Sequence, residues 1–185
     1  NMAGRSNTTG NSNVFIGNLA GFANSTGESN VFLGDSAGFG NTSSYNILIG
    51  TGSGKSNSGL YNSFMGYEAG SKNTLGESNV FIGFQAGYNN IGVNDEDHNG
   101  SYNTFLGYQA GASETGSNKL YIANSSTNPL IYGDLTTKQL GINTTTLSKT
   151  LNVGGDADVT GNITAGSVNG STNAKVFLNA TSVTV

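Results

Sequence analysis

The sequence predicts an all-β fold, a β-solenoid of about six rungs with roughly 16–17 residues in each rung. Three observations lead to this prediction. A short phrase recurs at nearly constant spacing, each copy contains an apolar run of strand length, and turn-forming residues separate the copies. The composition agrees, because 29 of the 185 residues are Gly and only 10% are charged. Such a chain is typical of a protein made of many short strands and turns.

The recurring phrase begins with Asn, continues with mostly apolar residues and ends with Gly. Its six copies occupy residues 13–17, 30–34, 46–50, 62–66, 79–83 and 103–107. The spacing is nearly constant up to Gly83, and the last step, from Gly83 to Gly107, is longer than the others. Three positions after each final Gly comes a small residue, followed at once by a second Gly. Two columns that recur together six times predict a repeat architecture.

The apolar run inside each phrase is predicted to be a strand with two apolar faces, because neighbouring side chains of a strand point to opposite sides. The two columns are Phe15, Phe32, Leu48, Phe64, Phe81, Phe105 and Ile16, Leu33, Ile49, Met65, Ile82, Leu106. One column can fill the interior of the roll. A thin coil has nothing else to cover the other column, so we expect copies of the chain to cover it.

The phrase Asn13-Val-Phe-Ile-Gly17, followed after two residues by Ala20-Gly21, resembles the head repeats of YadA-like trimeric autotransporter adhesins. The resemblance extends over residues 11 to about 117. It implies a left-handed parallel β-roll in which three identical chains surround one axis, so the expected partner is the chain itself as a homotrimer. We therefore expect residues 1–117 to form a head of β-roll repeats.

Residues 118–146 are predicted to form a β-rich cap or neck. Three short strands are expected, at residues 119–123, 130–132 and 139–143. Turns are expected at Asn128-Pro129 and at Gly133-Asp134. Residue 118 lies where a seventh rung would begin, and repeat arrays need a cap at their ends.

Residues 147–185 contain an aliphatic residue only every four or five positions. A single chain cannot build a core from so few apolar side chains, but intertwined copies can. The region resembles the shaft of phage tail fibres and of related bacterial fibres. That resemblance implies a trimeric fibre shaft that follows the head.

The first candidate ligand-binding residues are Tyr67, Phe84 and Tyr108, which immediately follow the last Gly of three phrases. The residue at this position varies between repeats, which indicates exposure to solvent. The three aromatic side chains would then form a ladder that could hold a ligand such as a sugar. In the alternative interpretation they stack on one another and only stabilise the roll.

The second candidate set is Asp95, Glu96, Asp97 and His98, in the one enlarged step of the repeat. This insertion must leave the column of rungs, so it predicts either a ligand-binding loop or a solvated loop tip. Its carboxylates do not have the spacing of a calcium loop, and no metal site is expected.

Several functions are excluded by composition. The chain has no Cys, a net charge of -4 and only seven Lys and Arg, so we expect no thiolate metal site and no nucleic-acid partner. No apolar run is long enough to cross a membrane, and no membrane insertion is expected. The residues 50–56 resemble a phosphate-binding loop, but Ile49 stands where that motif needs its first Gly. No cofactor and no enzyme activity are expected.

The functional expectation is a segment of a trimeric fibre adhesin, extracellular on a cell surface or a virion, that binds a glycan or protein on a target cell. The alternative is a structural spacer in a fibre whose recognition tip lies elsewhere. A glycan-cleaving spike is disfavoured, because the carboxylates lie scattered in turns and no acid pair is evident.

Overall fold

The computed structural model describes residues 2–92 and 100–158, and in these ranges the protein is all-β, without a helix. Six three-residue strands, one per repeat, form a β-solenoid of about six turns. They are β1 Val14–Ile16, β2 Val31–Leu33, β3 Ile47–Ile49, β4 Ser63–Met65, β5 Val80–Ile82 and β6 Thr104–Leu106. Each strand pairs in parallel with the next, and equivalent residues of successive repeats are partners. The predicted all-β solenoid is confirmed.

The middle residue of each strand points into the roll and forms its core. Phe32, Leu48, Phe64, Phe81 and Phe105 are fully buried, whereas Phe15 in the first rung is half-buried. The rings of Phe64 and Phe81 stack with their centroids 4.6 Å apart, and Phe81 and Phe105 repeat that distance. The core is therefore a continuous column of one apolar side chain per rung.

The paired small residue and Gly of each repeat close the core around this column. The small residues Ala20, Ala37, Ser53, Ala69, Ala86 and Ala110 are fully buried. The glycines that follow them have left-handed φ values of 55° to 61°. At Gly70 a Cβ atom would lie 2.4 Å from the ring of Phe64. The ring needs the space of the missing side chain, and the turn needs the left-handed conformation that Gly adopts without strain.

The Asn that begins each phrase joins its rung to the next one. Its side-chain oxygen accepts a hydrogen bond from the backbone N–H of the equivalent residue one rung on, at 2.8–3.0 Å in all six steps from Asn13 to Lys119. Its side-chain amide also donates, as from Asn62 to the Gly76 carbonyl at 2.9 Å. Most buried polar groups in native proteins are paired in this way. We call Asn13, Asn30, Asn46, Asn62, Asn79 and Asn103 the asparagine ladder.

A second column of buried asparagines lies three residues after the second Gly of each of the first five repeats. It contains Asn24, Asn41, Asn57, Asn73 and Asn90, all fully buried. Asn73 donates to the Asn57 side-chain oxygen at 2.6 Å, which again joins two rungs. Asn24 is an exception, because neither of its side-chain polar atoms has a hydrogen-bond partner among the described residues. Pairing in this column is thus less complete than in the asparagine ladder.

After β6 the sheet continues for one more parallel strand and then changes direction. β7 Lys119–Ile122 pairs in parallel with β6, while β8 Ile131–Asp134 and β9 Gln139–Ile142 are antiparallel to their predecessors. β10 Leu151–Val153 pairs in parallel with β9 and completes a ten-stranded sheet in sequence order.

The turn predicted at Gly133-Asp134 is wrong, because both residues lie inside β8 and the turn comprises residues 135–138. Gly133 is buried opposite Leu120, and a Cβ atom on it would lie 3.1 Å from the Leu120 Cβ. This Gly therefore permits a close approach of two strands and does not mark a turn.

Tyr121 ends the column of core rings. It is the partner of Phe105 in the sheet, but its ring meets the Phe105 ring edge-on, at an interplanar angle of 88°. Its hydroxyl donates to Glu114 at 2.8 Å. Burial, together with the charge of Glu114 and this hydrogen bond, raises the pKa of the Tyr121 hydroxyl. Lys119 and Asp134 form an ion pair at 2.7 Å that joins β7 to β8.

Residues 1–155 form one compact unit, and the second unit, residues 156–185, is described only as far as residue 158. The predicted shaft, residues 147–185, lies mostly outside the described residues. Its first described strand, β10, belongs to the same sheet as β9.

Candidate functional site

Tyr67, Phe84 and Tyr108 form an exposed ladder, which we call the aromatic row. Their side chains are 48%, 40% and 52% exposed. The ring centroids are 5.3 Å apart at both steps, with interplanar angles of 10° and 8°. The structure thus brings together the three aromatic residues that the sequence singled out, one above another on successive rungs.

The Gly before each of these residues determines where the aromatic row lies. Gly66 and Gly83 have φ values of 142° and 136°, and a Cβ atom on Gly66 would lie 2.2 Å from the carbonyl oxygen of Gly83. Only a residue without a side chain fits between the rungs at this corner. The chain leaves the strand there, and the next side chain projects from the corner into solvent.

A row of polar side chains follows the aromatic row by one position. Gln85 Nε2 donates to Glu68 Oε2 at 2.8 Å, and Gln109 Nε2 donates to Gln85 Oε1 at 2.9 Å. All three residues are half-buried and have left-handed φ values of 51° to 52°. We call Glu68, Gln85 and Gln109 the amide row. Sequence reasoning missed it, although the recurrence of long polar residues at this position was a usable signal.

A different set of tyrosines lies at the opposite end of the strands, just before the asparagine ladder. Tyr45 and Tyr61 stack at 5.2 Å with an interplanar angle of 8°. The Tyr45 hydroxyl donates to Glu28 at 3.2 Å. This hydrogen bond and the negative charge of Glu28 raise the pKa of Tyr45. The Tyr102 hydroxyl makes the same contact with Glu77, also at 3.2 Å, and the same causes raise its pKa.

The outward side of strands β1 to β6 lies between the aromatic row and this set of tyrosines. We call it the outer strand face. The second apolar column of the sequence lies on this face: Ile16, Leu33, Ile49, Met65, Ile82 and Leu106 all point outward. Val14, Ile47 and Val80 share this side. Eight of these nine side chains are between 38% and 57% exposed. The first column, from Phe15 to Phe105, lines the interior.

The outer strand face continues into a groove where the solenoid ends. The groove is lined by apolar side chains of β6 and β7, by Leu130 before β8, and by polar loop residues: Leu106, Ile122, Leu130, Asn124, Asn128 and Asn143. Leu130 is 61% exposed. The sequence did not predict this groove, because it depends on the antiparallel return of β8 and β9.

The second candidate set, Asp95, Glu96, Asp97 and His98, lies outside the described residues. Residues 2–92 and 100–158 contain no group of three or more His, Cys, Asp or Glu side chains that could hold a metal ion. Over these same ranges there is no helix of the length and hydrophobicity that a membrane span requires.

The fold and its surfaces define a β-solenoid with one apolar face, an aromatic row and an amide row. Comparison of the chain with protein-family models gave no match, and neither the curated proteins nor the solved structures contain a match to it.

Proposed function

We propose that this chain is a segment of a homotrimeric, extracellular fibre adhesin that binds a ligand on a target cell. The observation that carries the proposal is the outer strand face. Its eight well-exposed aliphatic and Met side chains together expose on the order of 600 Å², and the largest apolar patch of a typical monomer is about 300–600 Å². The aromatic row and the tyrosines at the opposite end of the strands are not part of this area.

An apolar surface of this size favours a contact between copies of the chain. A stable interface removes about 800 Å² from each partner, and the outer strand face by itself can supply most of this area. The face is also free of charged residues, since the two outward columns contain only aliphatic residues, Met65, Ser63 and Thr104. The number of copies, three, is proposed from the resemblance to trimeric adhesin heads.

The mass of the assembled protein particle in solution tests whether three copies of the chain associate. One chain has a mass of 18.9 kDa, and the particle is expected to have three times that mass. Light scattering of the purified chain measures this ratio directly. A stable, soluble species of one chain mass would refute the homotrimer.

A charge placed on the outer strand face provides the matched test. Met65→Asp puts a carboxylate where the copies are proposed to meet, and we expect the particle to dissociate toward the single-chain mass. Thr42→Asp adds the same charge at an exposed position outside the strands and is expected to leave the mass unchanged. Circular dichroism of both variants establishes that the β-structure is retained.

Ligand binding is tested with the intact trimer on target cells. Deletion of residues 93–99 shortens the enlarged step from Gly83 to Gly107 until it equals the regular step from Gly17 to Gly34. Asp95, Glu96, Asp97 and His98 are thereby removed without changing the regular rungs. Lost cell binding would assign the ligand to this insertion, whereas unchanged binding would leave the aromatic row as the candidate.

A structural spacer remains the alternative proposal. The continuous columns of core rings and ladder asparagines favour it, because they join every rung to the next and make a stiff rod. A wild-type trimer that binds no target cell would support the spacer. We propose no catalytic role, cofactor, nucleic-acid partner or membrane insertion for either function.

A further inference from the structure

We propose that the aromatic row and the amide row together bind a neutral, β-linked glycan that lies along the solenoid axis, with about one sugar per rung. This inference deepens the adhesin proposal and rests on it, because it assigns the ligand class and the surface.

The geometry of the aromatic row leaves ring faces accessible. Carbon atoms of stacked rings approach to about 3.5–4.0 Å. For ring planes in contact at this separation, centroids 5.3 Å apart in nearly parallel rings correspond to a sideways displacement of roughly 3.5–4 Å at each step. The buried rings of Phe64 and Phe81, at 4.6 Å, overlap more fully. Each exposed ring thus overlaps its neighbour only in part, and part of its face remains uncovered.

An uncovered ring face binds the C–H side of a sugar. The face of an aromatic ring carries partial negative charge and its edge partial positive charge. The axial C–H groups of a β-linked glucopyranose are weakly positive and point from the two flat faces of the sugar, while its hydroxyl groups lie around the edge. Three partly uncovered faces in a row, from Tyr67 to Tyr108, therefore favour a chain of such sugars.

The amide row supplies the directional contacts that a sugar needs. Each Gln carries two N–H donors and one carbonyl oxygen. The hydrogen bonds within the row use one donor of Gln85 and one of Gln109. Among the described residues no hydrogen bond uses the other donors or the Gln109 oxygen, so these groups are available to the hydroxyl groups of a ligand. A few polar groups beside an apolar platform are typical of small-molecule binding sites.

The charge of this surface selects a neutral ligand. Neither row contains a cation, and Glu68 places a carboxylate at one end. An anionic glycan would gain no ion pair here and would be repelled by Glu68. One rung rises about 4.8 Å along the axis, similar to the length of one sugar in an extended β-linked chain.

Glycan titration of the intact trimer tests the inference. The probes are β-1,4-linked oligomers of glucose and of N-acetylglucosamine, from dimer to hexamer, measured by calorimetry. We expect affinity to rise as far as the trimer, which covers the three rings, and little beyond it. Phe84→Ala removes the middle ring and is expected to weaken binding at least tenfold. Gln85→Met keeps the side-chain length without the amide and is expected to weaken it several-fold.

The matched control is Tyr61→Ala. It removes an exposed ring of the Tyr45–Tyr61 stacked pair, which lies at the opposite end of the strands. It is expected to bind the oligomers as the wild type does. The proposal is overturned if none of the oligomers binds, if Phe84→Ala binds normally, or if Tyr61→Ala weakens binding equally. It is also overturned if Phe84→Ala changes the mass of the particle, because the row would then lie between copies.

The outcome that would refute the adhesin proposal differs from the one that would refute the glycan site. Wild-type trimer that binds target cells but none of these oligomers refutes only the glycan site. Wild-type trimer that binds no target cell refutes the adhesive function itself.

Discussion

The side-chain oxygen of Asn62 accepts a hydrogen bond from the backbone N–H of Asn79, 3.0 Å away and 17 residues later in the chain. The same relationship holds between every pair of successive phrases. Each ladder asparagine thus pairs with a backbone N–H at the start of the next strand.

Removal of one member of the asparagine ladder should destabilise the roll. In Asn62→Ala the N–H of Asn79 loses its acceptor, while the Gly76 carbonyl retains its hydrogen bond from Asn73. A buried N–H donor without an acceptor lowers the free energy of unfolding by about 1–3 kcal/mol. Chemical denaturation at a fixed protein concentration measures this loss in the free energy of unfolding. Asn11→Ala, at an exposed position, is the control and should change stability little.

The core column should tolerate Leu but not Ala. Phe64→Ala removes a fully buried ring between Leu48 and Phe81, and a loss of about 3–5 kcal/mol in the free energy of unfolding is expected. Phe64→Leu should cost less, because Leu48 already occupies this column one rung away. Thermal unfolding of both variants provides the comparison. Equal losses would contradict the assignment of Phe64 to a close-packed column.

Two left-handed glycines should respond differently to substitution. Gly70→Ala places a methyl group 2.4 Å from the Phe64 ring at a φ of 58°. Left-handed strain and overpacking together cost roughly 2–4 kcal/mol. Gly52 has a φ of 67°, but the nearest atom to its Cβ position is the flexible Glu68 side chain at 3.2 Å. Gly52→Gln, which copies residue types found at this position in other rungs, should be nearly neutral in the same unfolding assay.

The Lys119–Asp134 ion pair predicts a loss of stability in acid. The hydrogen bond from Lys119 holds the pKa of the Asp134 carboxyl below its ordinary value. A folded-state pKa below the unfolded value means that the ionised carboxylate favours the folded state at neutral pH. This contribution disappears as the pH falls through the lowered pKa, below the ordinary value of about 3.9.

The melting temperature at pH 7 and at pH about 2 measures this effect. From the higher to the lower pH, the melting temperature of Asp134→Asn should fall less than that of the wild type, because the variant has no carboxylate at this position to protonate. Asp156→Asn, at an exposed position, should follow the wild type. An Asp134→Asn variant with the same acid sensitivity as the wild type would show that the ion pair contributes nothing.

The rungs were predictable from the sequence because each repeats the same local requirement. A Phe between Asn and Gly defines the strand, and Gly70 and its equivalents reveal the turn that follows. The aromatic row was predictable for the same reason, since Tyr67, Phe84 and Tyr108 occupy one position of the repeat. Exposure of that position followed from its variability.

Features that depend on contacts between distant residues were not predictable. Gly133 reads as a turn residue in isolation, yet Leu120 on the neighbouring strand determines its role. The amide row arises only because stacking brings Glu68, Gln85 and Gln109 within hydrogen-bond distance across 17 and 24 residues. The second column of asparagines, which begins at Asn24, recurs regularly in the sequence. Its burial could not be predicted, because Asn is ordinarily a surface residue.

The edge-on ring of Tyr121 has a consequence for how the array of rungs ends. A ring lying flat at that position would extend the Phe column and offer a face onto which a further core ring could stack. The tilted ring and the reversed strands beyond it offer no such face. The column of core rings is thereby closed at Tyr121, and a further parallel rung cannot stack on it there.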